Sequence, residues 1–169
     1  FGFGYFVSNL YWISISLTFD QNFKFLIPLT IILIPSFLAL FYALVAYLFA
    51  VLKPNKNLSS FFLFSLIFGI VEFLRGSILT GFPWNLIAYS FYNQIEILNI
   101  TSIIGTYSFN LFCISLFTSP SIFILRENKK DISICIAFLV TTMSFYILGS
   151  QNLEKFNNQE VKKLDYKLR

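Results

Sequence analysis

Long apolar runs separated by short polar turns organise this chain. Residues 3–19, 25–52, 58–74, 97–125 and 132–148 are rich in Phe, Ile, Leu and Val, and a helix that crosses a bilayer needs ~20 mostly apolar residues. The pattern predicts an all-α, polytopic transmembrane helix bundle over residues 1–150, with about five spans. The first span is short, and the second is long enough to cross with tilt. Pro28 falls in the first turn of the second span, where proline is tolerated, whereas Pro35 lies inside it and is expected to kink it. The stretch Asn93–Ile100 reads as partly interfacial, because Gln94, Glu96 and Asn99 interrupt its apolar pattern. Beyond the fifth span the character changes. Residues 151–163 are polar, as a linker is, and Leu164–Arg169 alternates apolar and polar with the period of a half-buried strand. A lone strand is not stable, so residues 151–169 are expected to be a linker followed by the start of a truncated soluble domain.

Composition agrees with a membrane setting. Hydrophobic residues make up 57% of the chain and charged residues 12%, about half the charge of an ordinary soluble domain. The net charge of +4 is spread over short turns and the tail, without the clustered stripe that a nucleic-acid site needs; no nucleic-acid partner is expected. The chain has no histidine, which excludes Ser-His and Cys-His catalysis and the commonest zinc ligand. Cys113 and Cys135 sit inside apolar runs and read as small fillers, so neither a metal site nor a cofactor is expected. The chain opens on Phe1, is apolar at once, and has neither a basic n-region nor a small-residue cleavage site. It is therefore expected to be a fragment cut inside or just before a membrane helix.

Turn charges predict an orientation. Lys53, Lys56, Arg126, Lys129 and Lys130 fall in the two turns on one side, and only Lys24 and Arg75 fall on the other. The positive-inside rule makes the first side cytoplasmic. The loop 76–92 and the C-terminal tail are then expected on the outer face.

That loop follows the stretch with the most chemistry. Within Val71–Trp84 the chain places Glu72, Arg75, Gly76, Thr80, Gly81, Phe82, Pro83 and Trp84, and Tyr89-Ser90 follows. Glu72 and Arg75 are three apart and share a helix face. One reading is a phosphate-facing guanidinium oriented by Glu72; the other is an ion pair that neutralises itself at a helix end. Gly76, Gly81 and Pro83 are expected to stop the helix. Thr80–Trp84 fits either a substrate-facing lip or a turn anchored at the interface by its tryptophan, and both readings stand.

The same residues carry a family resemblance. Glu72-Phe-Leu-Arg-Gly-Ser-Ile-Leu-Thr-Gly-Phe-Pro-Trp84, with Tyr89-Ser90, resembles a signature of bacterial apolipoprotein N-acyltransferases. Phe1-Gly-Phe-Gly4 with Trp12 and Ser14-Ile-Ser16, and Ile104-Gly105 with Phe109-Asn110, resemble two further segments of that family. Ala88 stands where the family usually has glycine, and Thr106 where valine is common. The resemblance implies an inner-membrane enzyme, a monomer, that transfers an acyl chain from a phospholipid to the N-terminal diacylglyceryl-cysteine of lipoproteins through a thioester. It also implies that the Glu-Lys-Cys triad lies in an α/β nitrilase-like domain beyond Arg169, so no catalytic residue is expected in this chain and the fragment alone is expected to be inactive. Arg75 is expected near donor phosphate, and Phe82, Trp84 and Tyr89 at the acyl entrance, with Glu72, Thr80 and Pro83 completing the lipid-binding rim.

The rival reading is a lipid-binding or transport module without chemistry. It predicts polar residues facing one another at mid-membrane across several spans, and the sequence shows few. An acyltransferase of the same two-part plan acting on another amine is a third reading.

Overall fold

A computed structural model of the chain describes residues 1–52, 54, 56–78, 81–125 and 129–158. Among these the chain is mostly helical and forms no strand. Helix α1 is Gly2–Leu10, α2 Ile27–Leu52, α3 Asn57–Ser77, α4 Ile95–Leu98, α5 Thr101–Ile104, α6 Thr106–Ile124 and α7 Lys129–Asn157. Short 3₁₀ stretches occupy Tyr11–Thr18, Gln21–Leu26 and Ile87–Phe91. Four segments are long and apolar enough to cross a membrane: Gln21–Leu52, Asn57–Ser77, Thr106–Ile124 and Asp131–Asn157. With the short α1 segment, the expected all-α membrane bundle is what the chain forms, and it is a multi-pass membrane protein.

The differences from the hydropathy pattern have local causes. The first expected span, 3–19, is nine residues of α-helix that give way to 3₁₀ turns. There Ser14, Ser16 and Thr18 each donate a hydroxyl hydrogen bond to the carbonyl three residues back, at 2.6–2.7 Å, which suits the tighter winding. A nine-residue helix is also only ~14 Å long. The expected fourth span, 97–125, is broken at Gly105, whose φ of 79° and ψ of 158° lie in a region open essentially to glycine. Two short helices therefore precede α6 where one long helix was expected. Pro35 sits inside α2 without ending it, and Pro120 does the same in α6. The final helix continues through residues 151–157, past the expected span end at 148. The expected strand Leu164–Arg169 lies outside the described residues.

The bundle turns around α6. Phe109, Cys113, Ile114 and Ile122 of α6 are buried, and 44% of its apolar window is enclosed by the protein, against 6% for α7. Helix α7 lies at the edge of the bundle, packing on it through half-buried Phe138 and Phe145 and exposing its other face. Helices α2 and α3 meet over Val45, Ile67 and Val71, while α1 packs on α2 through Phe6, Leu10 and Leu38. Cys135 donates its thiol to the Ser119 carbonyl at 3.3 Å, tying α7 to α6.

This arrangement sorts the turns between two ends. Asn57 at the start of α3 donates to the Leu125 carbonyl just past α6, so the start of α3 and the end of α6 share one end. At the other end Asn152 of α7 donates to Asn99 at 2.9 Å, beside the 3₁₀ stretch 87–91. The loop after α3 and the last turns of α7 are thus together.

Candidate functional site

Helix α3 carries Glu72 and Arg75 one turn apart, and the bundle closes over both. Their side chains are 0% and 1% exposed. Arg75 grips the carboxylate with two parallel bonds, Nη2 to Oε2 at 2.9 Å and Nε to Oε1 at 3.2 Å. This fork-on-fork geometry is the strongest form of ion pair available to a side chain. Burial makes it necessary, because either charge left alone in this interior is severely penalised. Phe6 of α1 lies under the guanidinium, 5.5 Å from its carbon to the ring centre, within cation–π range.

The remaining donors of Arg75 go to the loop. Nη1 bonds the Phe82 carbonyl at 2.8 Å and the Trp84 carbonyl at 2.9 Å. The Arg75 carbonyl in turn accepts from the Phe82 N–H at 3.1 Å. One residue at the helix end therefore holds the chain that leaves that helix, by backbone and by side chain. The glycines permit this return. Gly81 has φ of 77°, and a Cβ there would overlap the Gly76 carbonyl; a Cβ on Gly76 would strike the Tyr107 hydroxyl. Thr80 lies outside the described residues.

A second bracket holds the far side of the loop. Asn110 of α6, 1% exposed, accepts the Ala88 N–H on Oδ1 at 3.0 Å. Tyr5 of α1 donates its hydroxyl to the Asn85 carbonyl at 3.2 Å, and Asn85 adopts a positive φ of 57°, which asparagine tolerates better than most residues. Tyr42 and Asn110 also lie beside the Glu72 carboxylate.

Above these brackets the loop presents aromatic surface. Phe82 is half-buried and Pro83 exposed, while Trp84 and Tyr89 are 48% and 43% exposed. Trp84 stacks on Trp12, ring centres 5.2 Å apart and planes 14° from parallel, and touches Phe82 at 5.6 Å. Beside Phe82 a largely apolar groove of about 390 Å³ opens between the loop and α2, walled by Leu33, Ile34, Phe37, Leu38 and Phe41, with Ile78, Gly81 and Arg75 opposite. Its size and lining suit part of an acyl chain.

Of the residues singled out in the sequence, Glu72, Arg75, Phe82, Pro83 and Trp84 come together, while Tyr89 lies further along, exposed in the 3₁₀ stretch Ile87–Phe91. They separate into a buried base, Glu72 and Arg75, and an exposed rim. The base was expected to face phosphate through Arg75; in the structure its Nε and both terminal nitrogens are engaged below the surface. Sequence reasoning missed Trp12 as the partner of Trp84, Tyr5 and Asn110 as anchors of the loop, and Phe6 beneath Arg75. A signal for two of them was present, since Trp12 and Asn110 belong to the other two segments that carry the family resemblance.

Comparisons with known proteins point the same way. A family model described as the apolipoprotein N-acyltransferase N-terminal domain matches residues 1–119. The apolipoprotein N-acyltransferase of Brucella melitensis biotype 1 is 38% identical over 123 residues, covering 72% of this chain and 23% of the relative. That of Rhodopseudomonas palustris is 38% identical over 125 residues, 73% of this chain and 23% of the relative. That of Rhizobium rhizogenes is 32% identical over 146 residues, 86% and 27% respectively. The chain thus spans about a quarter of the length of these curated relatives. No solved structure matches it.

Proposed function

The chain belongs to the apolipoprotein N-acyltransferase family, and from that membership we propose that it forms the membrane platform of an enzyme that N-acylates lipoproteins. The acyl donor is a phospholipid of the surrounding membrane and the acceptor the diacylglyceryl-cysteine at a lipoprotein N-terminus. The membrane is the bacterial inner membrane, and the loop and the end of α7 lie on its outer face. Acyl transfer passes through a thioester on a cysteine outside this chain, and these helices hold that chemistry at the lipid surface.

The observation that carries the reading is the double grip of Arg75 on the Phe82 and Trp84 carbonyls. It fixes the backbone at Phe82 and Trp84, whose rings touch each other, with Phe82 on the apolar groove and Tyr89 further along the same loop. In this role Arg75 is a positioning residue. A donor chain enters from the lipid along Phe37, Phe41 and Phe82, and Trp84 with Tyr89 occupies the depth where amphipathic rings settle. Pre-setting a reactant in this way removes orientational freedom before reaction.

The test is transfer of a labelled acyl chain to a diacylglyceryl-cysteine peptide in proteoliposomes, using the complete protein that carries this segment. Trp84→Ala and Tyr89→Ala should slow transfer by roughly tenfold, the rate equivalent of ~1.4 kcal/mol, with melting unchanged for Tyr89→Ala and lowered only by the lost Trp12 stack for Trp84→Ala. Full transfer by both variants, or lipid uptake with no acylated peptide, contradicts the proposal.

A further inference from the structure

At the end of the bundle remote from the loop, a second groove of about 610 Å³ opens between α2, α3 and α6. Its walls are aromatic, formed by Phe49, Phe61, Phe64 and Phe117, and its rim is polar, with Asn57 and Ser121. Nothing in the acyl-transfer reading uses it. We propose that it holds an anionic glycerophospholipid of the leaflet that faces the basic turns, with one acyl chain between the phenylalanines and the phosphate at the Asn57 rim.

Charge complementarity selects this occupant. Lys56 immediately precedes Asn57 and Lys53 lies a few residues earlier, while Arg126 immediately follows Leu125 and Lys129 and Lys130 come shortly after, against Glu127 and Asp131 as acids. Asn57 and Leu125 are joined at the groove by the bond from Asn57 Nδ2 to the Leu125 carbonyl, 2.9 Å long. Asn57 and Leu125, the described residues next in sequence to these basic positions, therefore sit together at one rim. Lys56 is exposed at the N-cap of α3, and no side chain caps that helix start. The positive end of a 21-residue helix thus adds to the same field. Basic pockets between helices on the positively charged side of a membrane protein suit anionic headgroups, and each lysine near the surface contributes roughly fivefold in affinity. A zwitterionic lipid would fill the aromatic groove as well but would gain little from the lysines. The proposal is independent of the role given to the loop.

The experiment reconstitutes the protein in phosphatidylcholine vesicles doped with phosphatidylglycerol or phosphatidylcholine that carries a diazirine in one acyl chain. After irradiation, labelled peptides are mapped by mass spectrometry. The phosphatidylglycerol probe should label residues 57–64 and 117–125 in preference to the phosphatidylcholine probe. Lys53→Gln with Lys56→Gln should lower that preference by at least ~fivefold, while labelling of α7 stays as it was. Ser121→Phe, which fills the groove, should remove local labelling by both probes. Equal labelling by the two probes, labelling spread evenly over the bundle, or a groove left unlabelled because protein covers it would each overturn the proposal.

Discussion

Arg75 and Phe82 hold each other from both sides. The Arg75 carbonyl accepts the Phe82 N–H at 3.1 Å, and Arg75 Nη1 donates to the Phe82 carbonyl at 2.8 Å. Seven residues apart in sequence, they close the chain into a ring whose base is the Glu72 carboxylate. The loop shape therefore depends on a charge pair that is almost wholly out of contact with solvent or lipid.

Removing both members of that pair should cost less than the two single removals added together. Arg75→Met strands the Glu72 carboxylate in the interior, and Glu72→Gln strands the guanidinium; each should destabilise by ~3–5 kcal/mol. The double variant should lose less than the sum, because no charge remains unpaired. Unfolding in mixed micelles at increasing denaturing detergent, run as a double-mutant cycle, checks this. Additive losses would mean that the two side chains do not act as a pair.

Gly81→Ala should be destabilising although it adds only a methyl group. With φ of 77° and the Gly76 carbonyl in the path of a Cβ, the substitution meets a left-handed backbone cost of ~1–2 kcal/mol together with a steric clash. The same unfolding assay reads it, with wild-type unfolding as the contrary outcome.

Asn110→Leu keeps volume in α6 but leaves the Ala88 N–H buried without an acceptor. The cost should be ~1–3 kcal/mol, and the Ala88 amide should exchange with solvent deuterium faster than in the wild type. Unchanged exchange would mean that the 87–91 stretch is held by packing alone.

The Trp12–Trp84 stack ties the first segment to the rim. Trp12→Leu and Trp84→Leu should show a coupling of ~0.5–1.5 kcal/mol in a double-mutant cycle, the usual range for aromatic pairs. Independent effects would show that the stack contributes nothing beyond burial.

Much of this was legible in the sequence. Apolar runs are read by their length, so α2, α3, α6 and α7 emerge from the pattern. The breaks at Leu10 and Gly105 do not, because serine back-bonding and a single glycine φ leave mean hydropathy unchanged. The Glu72/Arg75 pair follows from i,i+3 spacing. Its burial and its grip on the loop carbonyls do not, since backbone acceptors are identical at every residue and carry no sequence signal. The contacts of Tyr5, Trp12 and Asn110 span from 22 to 80 residues, and only the folded bundle brings them to the rim.

In the proposed function, Arg75 serves acyl transfer by holding the loop. Its most direct test measures two quantities on one sample of the complete enzyme, wild type against Arg75→Lys, which keeps the charge but loses the planar fork. One is deuterium exchange over residues 81–92, and the other is the rate of acyl transfer. The account predicts faster exchange in this segment, most of all at the Phe82 amide, and a fall in transfer of at least roughly tenfold with the donor KM little changed. Lost transfer with the loop still protected and a raised donor KM would contradict it, and would assign Arg75 to the lipid phosphate instead.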